Sequence, residues 1–140
     1  MIDSHVHTYY SKHAEGSVED IVIAAIANNI KILTITDHAP YPVDSNNRLL
    51  ESELILYLDE IKEISKKYEK KIDVLVGLEV DFHPDEIDYI KSILQISQCF
   101  VGTWKITEET ADSSVMMTDF ALHQFYSGFD VHKIILLVPY

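Results

Sequence analysis

The chain has 140 residues, 47% of them apolar, and a formal net charge of −12. That length supports one modest domain with a real core, and the excess of acid disfavours a nucleic-acid backbone as partner, because phosphate binding needs a surplus of Lys and Arg. The single cysteine, Cys99, sits in the apolar stretch Ile96 to Val101, where it cannot close an intramolecular disulfide and lends no support to an oxidising compartment. No run approaches the ~20 apolar residues of a membrane span. No apolar signal region precedes the first histidines. The expected location is therefore the cytoplasm, with no membrane partner.

The coarse layout alternates strand and helix. Met1-Ile2 leads into His5-Val6-His7 at the end of a first strand. Ser17 reads as a helix N-cap with Asp20 as an approximate capping box. Val18, Ile21, Val22, Ala25 and Ile26 follow on one face at helical spacing, until Asn28-Asn29 ends the helix. A second strand covers Ile32 to Thr36. Residues 39–49 read as a loop, because two prolines and an Asp/Ser/Asn cluster oppose both regular structures. A long helix is expected over about residues 51–69, with Leu54, Tyr57, Leu58, Ile61, Ile64 and Tyr68 as its apolar stripe. A strand from Ile72 to Leu78 follows. Pro84-Asp85 opens a helix with Ile87, Ile90 and Leu94 inward, and Cys99–Thr103 reads as a fourth strand. The chain closes on the apolar, strand-like run Ile134–Tyr140.

Alternation with continuously apolar strands implies an α/β fold with a mainly parallel sheet covered on both faces. An open doubly wound sheet usually places a Gly-rich phosphate loop after its first strand. Histidines stand there instead, which favours a barrel or part-barrel.

The chemistry gathers at strand ends. Residues two apart in an extended segment face the same way, so His5 and His7 form half of a divalent-metal site. His13 follows in Ser11-Lys12-His13-Ala14-Glu15-Gly16-Ser17. Asp37-His38 closes the second apolar run, and Glu79 closes the third. In barrels of alternating strands and helices, the C-terminal strand ends carry the active site. Each residue also has a plain alternative. His13 could be a polar loop residue, Asp37 could make an Asx-turn before Pro40, and Glu79 could be a solvated strand end. His83, before Pro84, reads as a loop residue. Tyr9-Tyr10 could shape a substrate mouth or simply pack under a loop.

His5-Val6-His7-Thr8, His13-Ala14-Glu15-Gly16-Ser17, Thr36-Asp37-His38-Ala39-Pro40 and Gly77-Leu78-Glu79-Val80-Asp81 resemble the successive motifs of the polymerase and histidinol phosphatase (PHP) family, and in particular its histidinol-phosphatase branch. The resemblance covers about residues 1–103. It implies a distorted (β/α) barrel with a trinuclear metal centre at the strand C-termini, and hydrolysis of L-histidinol phosphate, a small-molecule phosphate ester, in histidine biosynthesis. Carried over, His5 and His7 hold a first metal, Glu79 bridges the first and second, and His13 and His38 hold the third. Asp37 is then an orienting neighbour or a proton acceptor. Such carboxylate and imidazole ligands accept Zn, Mn or Fe.

The second half departs from that pattern. Where the family has Gly-Ser-Val-His, this chain has Gly102-Thr103-Trp104-Lys105, and a protonated lysine cannot ligate. His123 and His132 lie in surroundings that do not match, and no late Asp-x-His follows. A full barrel of this kind needs on the order of 200 residues or more. The expectation is thus a single PHP-like domain over residues 1–140, atypical after about residue 103. It corresponds to the N-terminal half of the barrel, holds fewer metals than three, and has an incomplete edge through which the chain could self-associate. A catalytically impaired, metal-binding remnant is the alternative to an active enzyme.

Overall fold

The structure, a computed structural model, describes residues 1–42, 46–81, 86–94, 99–104 and 134–139. Among the described residues, five strands and three helices follow in chain order: β1 (Ile2–Val6), α1 (Val18–Ala27), β2 (Ile32–Ile35), α2 (Leu54–Tyr68), β3 (Asp73–Asp81), α3 (Ile87–Leu94), β4 (Cys99–Trp104) and β5 (Ile134–Pro139). All strand pairs are parallel and the spatial order is β1-β2-β3-β4-β5. A doubly wound sheet reverses direction at a switch point. Here the order follows the sequence without reversal, as in part of a (β/α) barrel, and the parallel pairing puts the C-termini of the described strands on the same rim.

Local chemistry sets the elements. Ser17 accepts a hydrogen bond from the Asp20 backbone N–H, and the Asp20 side chain accepts one from the Ser17 N–H, completing the capping box of α1. The helix stops at Ala27, where Asn29 takes a left-handed φ of 59°, a conformation asparagine tolerates better than most residues. The expected stripe of α1 is inward, with Val18, Val22 and Ala25 buried and Ile21 and Ile26 packed at the margin. On α2, Leu54, Tyr57, Leu58 and Ile61 are buried. Full burial of an aliphatic side chain of this size contributes about 1.5–3 kcal/mol. In β2, successive residues Leu33 to Ile35 are all buried, which is how a parallel strand covered on both faces should look.

Two boundaries differ from the sequence reading. The long helix begins at Leu54 rather than residue 51, since Glu51–Glu53 forms a separate 3₁₀ turn. Strand β3 runs on to Asp81, because Gly77 to Asp81 pair with Cys99 to Thr103 of β4. Glu79 therefore lies inside a strand rather than after one. The final apolar run does form a strand, β5, paired with β4. Lys105, His83, His123, His132 and the Pro84-Asp85 helix start lie outside the described residues. Among the described residues no helix is long and apolar enough to cross a membrane.

Candidate metal centre

Three strand ends build the centre. Thr36 N–H donates to the Val6 carbonyl at 2.8 Å, holding the end of β1 beside that of β2. An isolated parallel bridge pairs His38 with Glu79, with Glu79 N–H on the Asp37 carbonyl at 3.0 Å and Ala39 N–H on the Glu79 carbonyl at 2.8 Å. His5 and His7, two apart on an extended segment, then face Glu79 from the other side.

The five histidine and glutamate side chains named from sequence converge. His5 Nε2 lies 2.9 Å from His7 Nε2 and 2.9 Å from Glu79 Oε2, and His7 Nε2 lies 2.7 Å from the same oxygen. His38 Nδ1 is 3.7 Å from it. The rings of His7, His13 and His38 surround one another at centroid distances of 4.7–5.2 Å. Two ligand triplets result, His5/His7/Glu79 and His7/His13/His38, each with its ligand atoms within 4.8 Å of one another. His7 belongs to both.

This donor set fits a divalent cation. Ligand atoms around an ion with bonds of ~2.1 Å sit about 3 Å apart, close to the spacing of His5, His7 and Glu79. The Nδ1 atom of His7 is buried and has no hydrogen-bond partner, a costly state for a polar atom unless something else occupies it. Glu79 is 5% exposed. Burial pushes its carboxyl up, but the His7 hydrogen bond, the His38 charge and the His5 hydrogen bond outweigh that and bring it down to about 2. It is an anion at any ordinary pH, the form in which a carboxylate can hold a cation.

Asp37, the remaining residue singled out from sequence, lies beneath this cluster and is fully buried. Its carboxylate accepts from Thr8 N–H at 2.8 Å, Thr8 Oγ1 at 2.8 Å, Ser11 N–H at 3.1 Å and Ser11 Oγ at 2.6 Å. Its own N–H donates to Tyr57 Oη. The sequence reading missed Thr8, Ser11 and Tyr57. The first two could have been found as the polar residues between His7 and His13; Tyr57 was hidden in an ordinary apolar helix stripe.

The Tyr9-Tyr10 pair stacks at 4.4 Å, and both hydroxyls donate to Glu60. Burial, with the hydrogen bonds it shares with Tyr9 and Glu60, pushes the Tyr10 phenol up. The pair ties the loop after β1 to α2. Lys12 takes a left-handed φ of 63° and pairs with Glu53 at 2.6 Å, turning the chain so that His13 comes back over His7.

The sequence pattern described as the PHP domain matches residues 3–136. The chain belongs to the PHP domain family. Within it, the chain is similar to a protein of Deinococcus radiodurans named "Probable histidinol-phosphatase", 33% identical over 114 residues that cover 74% of this chain and 44% of that protein. It is similar also to the protein of Bacillus subtilis named "Histidinol-phosphatase", 24% identical over 88% of this chain and 50% of that one. A crystal structure of a Listeria monocytogenes protein, described as a candidate histidinol phosphatase, superposes with a TM-score of 0.67 at 22% identity, covering 77% of this chain and 46% of that chain. This PHP chain therefore spans about half the length, or less, of the relatives it matches. The structural match bears out the α/β part-barrel.

Proposed function

We propose that this PHP chain carries the metal-binding half of a phosphomonoesterase of the histidinol-phosphatase type, acting on L-histidinol phosphate to give L-histidinol and phosphate, a step of histidine biosynthesis. The observation that carries the proposal is the convergence of His5, His7, His13, His38 and Glu79 on the C-terminal rim of the sheet. The names of the Deinococcus and Bacillus relatives support the substrate class.

In this reading His5, His7 and Glu79 hold one ion, and His13 and His38, with His7 beside them, hold another. Imidazole and carboxylate together accept Zn, Mn or Fe. Bound divalent ions supply a hydroxide nucleophile near neutral pH and neutralise phosphate oxygens. The protein's own task is to keep Glu79 ionised, hold the imidazoles at fixed spacing, and shield the site from below with Asp37 and the apolar ends of β2 and β3. The net charge of −12 suits a small phosphate ester at a metal site far better than a nucleic acid.

A second reading is a metal-holding PHP domain without turnover. It is favoured by Lys105, which stands where the resemblance puts a metal-binding histidine. Phosphate release from L-histidinol phosphate with Mn or Zn present separates the two. Turnover that is lost on chelation and in Glu79→Gln supports the enzyme. Metal uptake with no turnover supports the second reading. Turnover indifferent to Glu79→Gln refutes the assignment of the site.

A further inference from the structure

Every segment that bears a proposed ligand is fastened, through side chain or backbone, to one buried residue, Asp37, or to its clamp Ser11. The short 3₁₀ turn Tyr9–Ser11 lies between His7 and His13. Thr8 and Ser11, which flank and close it, are both fully buried and both direct an N–H and a hydroxyl at the Asp37 carboxylate. Each hydroxyl also receives a bond. Tyr10 N–H donates to Thr8 Oγ1 at 3.3 Å, and His38 N–H donates to Ser11 Oγ at 3.2 Å. The hydroxyl hydrogens must therefore point to the carboxylate, and the network has no spare donor. Beyond it, the Asp37 carbonyl accepts from Glu79 N–H at 3.0 Å, and Tyr57 Oη accepts from Asp37 N–H while reaching the Gly77 carbonyl at 2.8 Å. His7, His13, His38 and Glu79 are thus each within two residues of an atom bonded to Asp37 or to Ser11.

We propose that Asp37 is the positioning residue of the centre: with Thr8 and Ser11 as its clamps, it fixes the spacing of His7, His13 and His38, and it takes no part in proton transfer. The inference rests on the metal reading above. Its carboxylate accepts from four donors of the chain itself, three on Oδ1 and one on Oδ2, and is fully buried, which keeps it from a substrate. Groups that orient metal ligands at one remove are worth about 10–100-fold in metal affinity. Replacing Asp37 by asparagine keeps the shape but sets an amide donor against N–H and O–H groups of Thr8 or Ser11 that already donate to this side chain, so a donor there must lose its acceptor.

The test is titration of the whole metal-free chain with cobalt(II) chloride, following the visible absorption bands that report coordination geometry, alongside thermal melts without metal. Asp37→Asn is expected to lower cobalt affinity about 10–100-fold and to alter the bands at saturation. Ser11→Ala should do the same to a smaller degree, while leaving the carboxylate in place. A role confined to stability would lower the melting temperature without moving the saturated spectrum. Asp37→Asn with wild-type affinity and spectrum overturns the inference and leaves the metal reading standing. If Asp37→Asn does not fold, Ser11→Ala decides on the same criteria. A wild-type chain that takes up no cobalt overturns both.

Discussion

Glu79 is the residue on which the centre turns. It is the one acidic member of the two ligand triplets, and its carboxyl stands at about 2 against an ordinary 4.5. A carboxyl depressed on folding contributes stability that is complete above its ordinary value and is lost as pH falls through its folded value. The metal-free chain should therefore lose stability between pH 4.5 and about 2, and Glu79→Gln should flatten that part of the profile. Thermal melts in chelator across this range check it; a wild-type profile with no slope there would refute the pairing with His5 and His7. In metal, the same variant removes a ligand outright. Its affinity should fall by ~100-fold or more, beyond what loss of an orienting neighbour costs, as measured by calorimetric titration with zinc.

Among the elements, α2 does more than cover the sheet. Tyr57, fully buried, puts its hydroxyl between the Ile35 and Gly77 carbonyls and the Asp37 N–H. It thereby joins the ends of β2 and β3 beneath the centre. Tyr57→Phe leaves those groups unsatisfied and should cost about 1–3 kcal/mol in urea unfolding, with a measurable loss of metal affinity. Ser17→Ala removes only the N-cap of α1, and should cost about 1 kcal/mol with affinity unchanged. The contrast separates a helix that shapes the centre from one that only packs. Much of this was legible in the chain. The Ser17 cap, the stripes of α1 and α2, and the short apolar strands follow from period and capping chemistry. His5 and His7 were placed by the two-residue repeat of an extended segment. What was hidden depends on partners distant in sequence. The length of β3 is set by pairing with β4, the break before α2 by the 3₁₀ turn at Glu51–Glu53, and the role of Asp37 by hydroxyls 26 and 29 residues away. No local pattern marks Tyr57 as a polar anchor.

At the scale of the whole molecule, parallel pairing puts the C-termini of the described strands on one rim, and among the described residues the proposed ligands come from β1, β3 and the segments that follow β1 and β2. The centre is therefore unevenly furnished. His5, His7 and Glu79 offer three protein ligands, enough to hold an ion with an open position. His13 and His38 supply two more with His7 at hand. A bridged second ion would draw its histidine from the position that Lys105 occupies. Elemental analysis of the purified chain should accordingly find one or two ions per molecule, and three tightly held ions would mean that a residue such as His123 or His132 completes the set. Occupancy should also raise the melting temperature with metal concentration, because an ion that binds only the folded chain stabilises it by mass action. Turnover should respond more severely than binding. Phosphoryl transfer rests on positioning and on neutralising charge at several oxygens at once, and the loss of one ion would reduce both. The chain alone should thus release phosphate from L-histidinol phosphate slowly or not at all, even at metal concentrations that saturate its melting curve. Fast release at one or two ions per chain would overturn that expectation and establish that β1 to β3 suffice for catalysis.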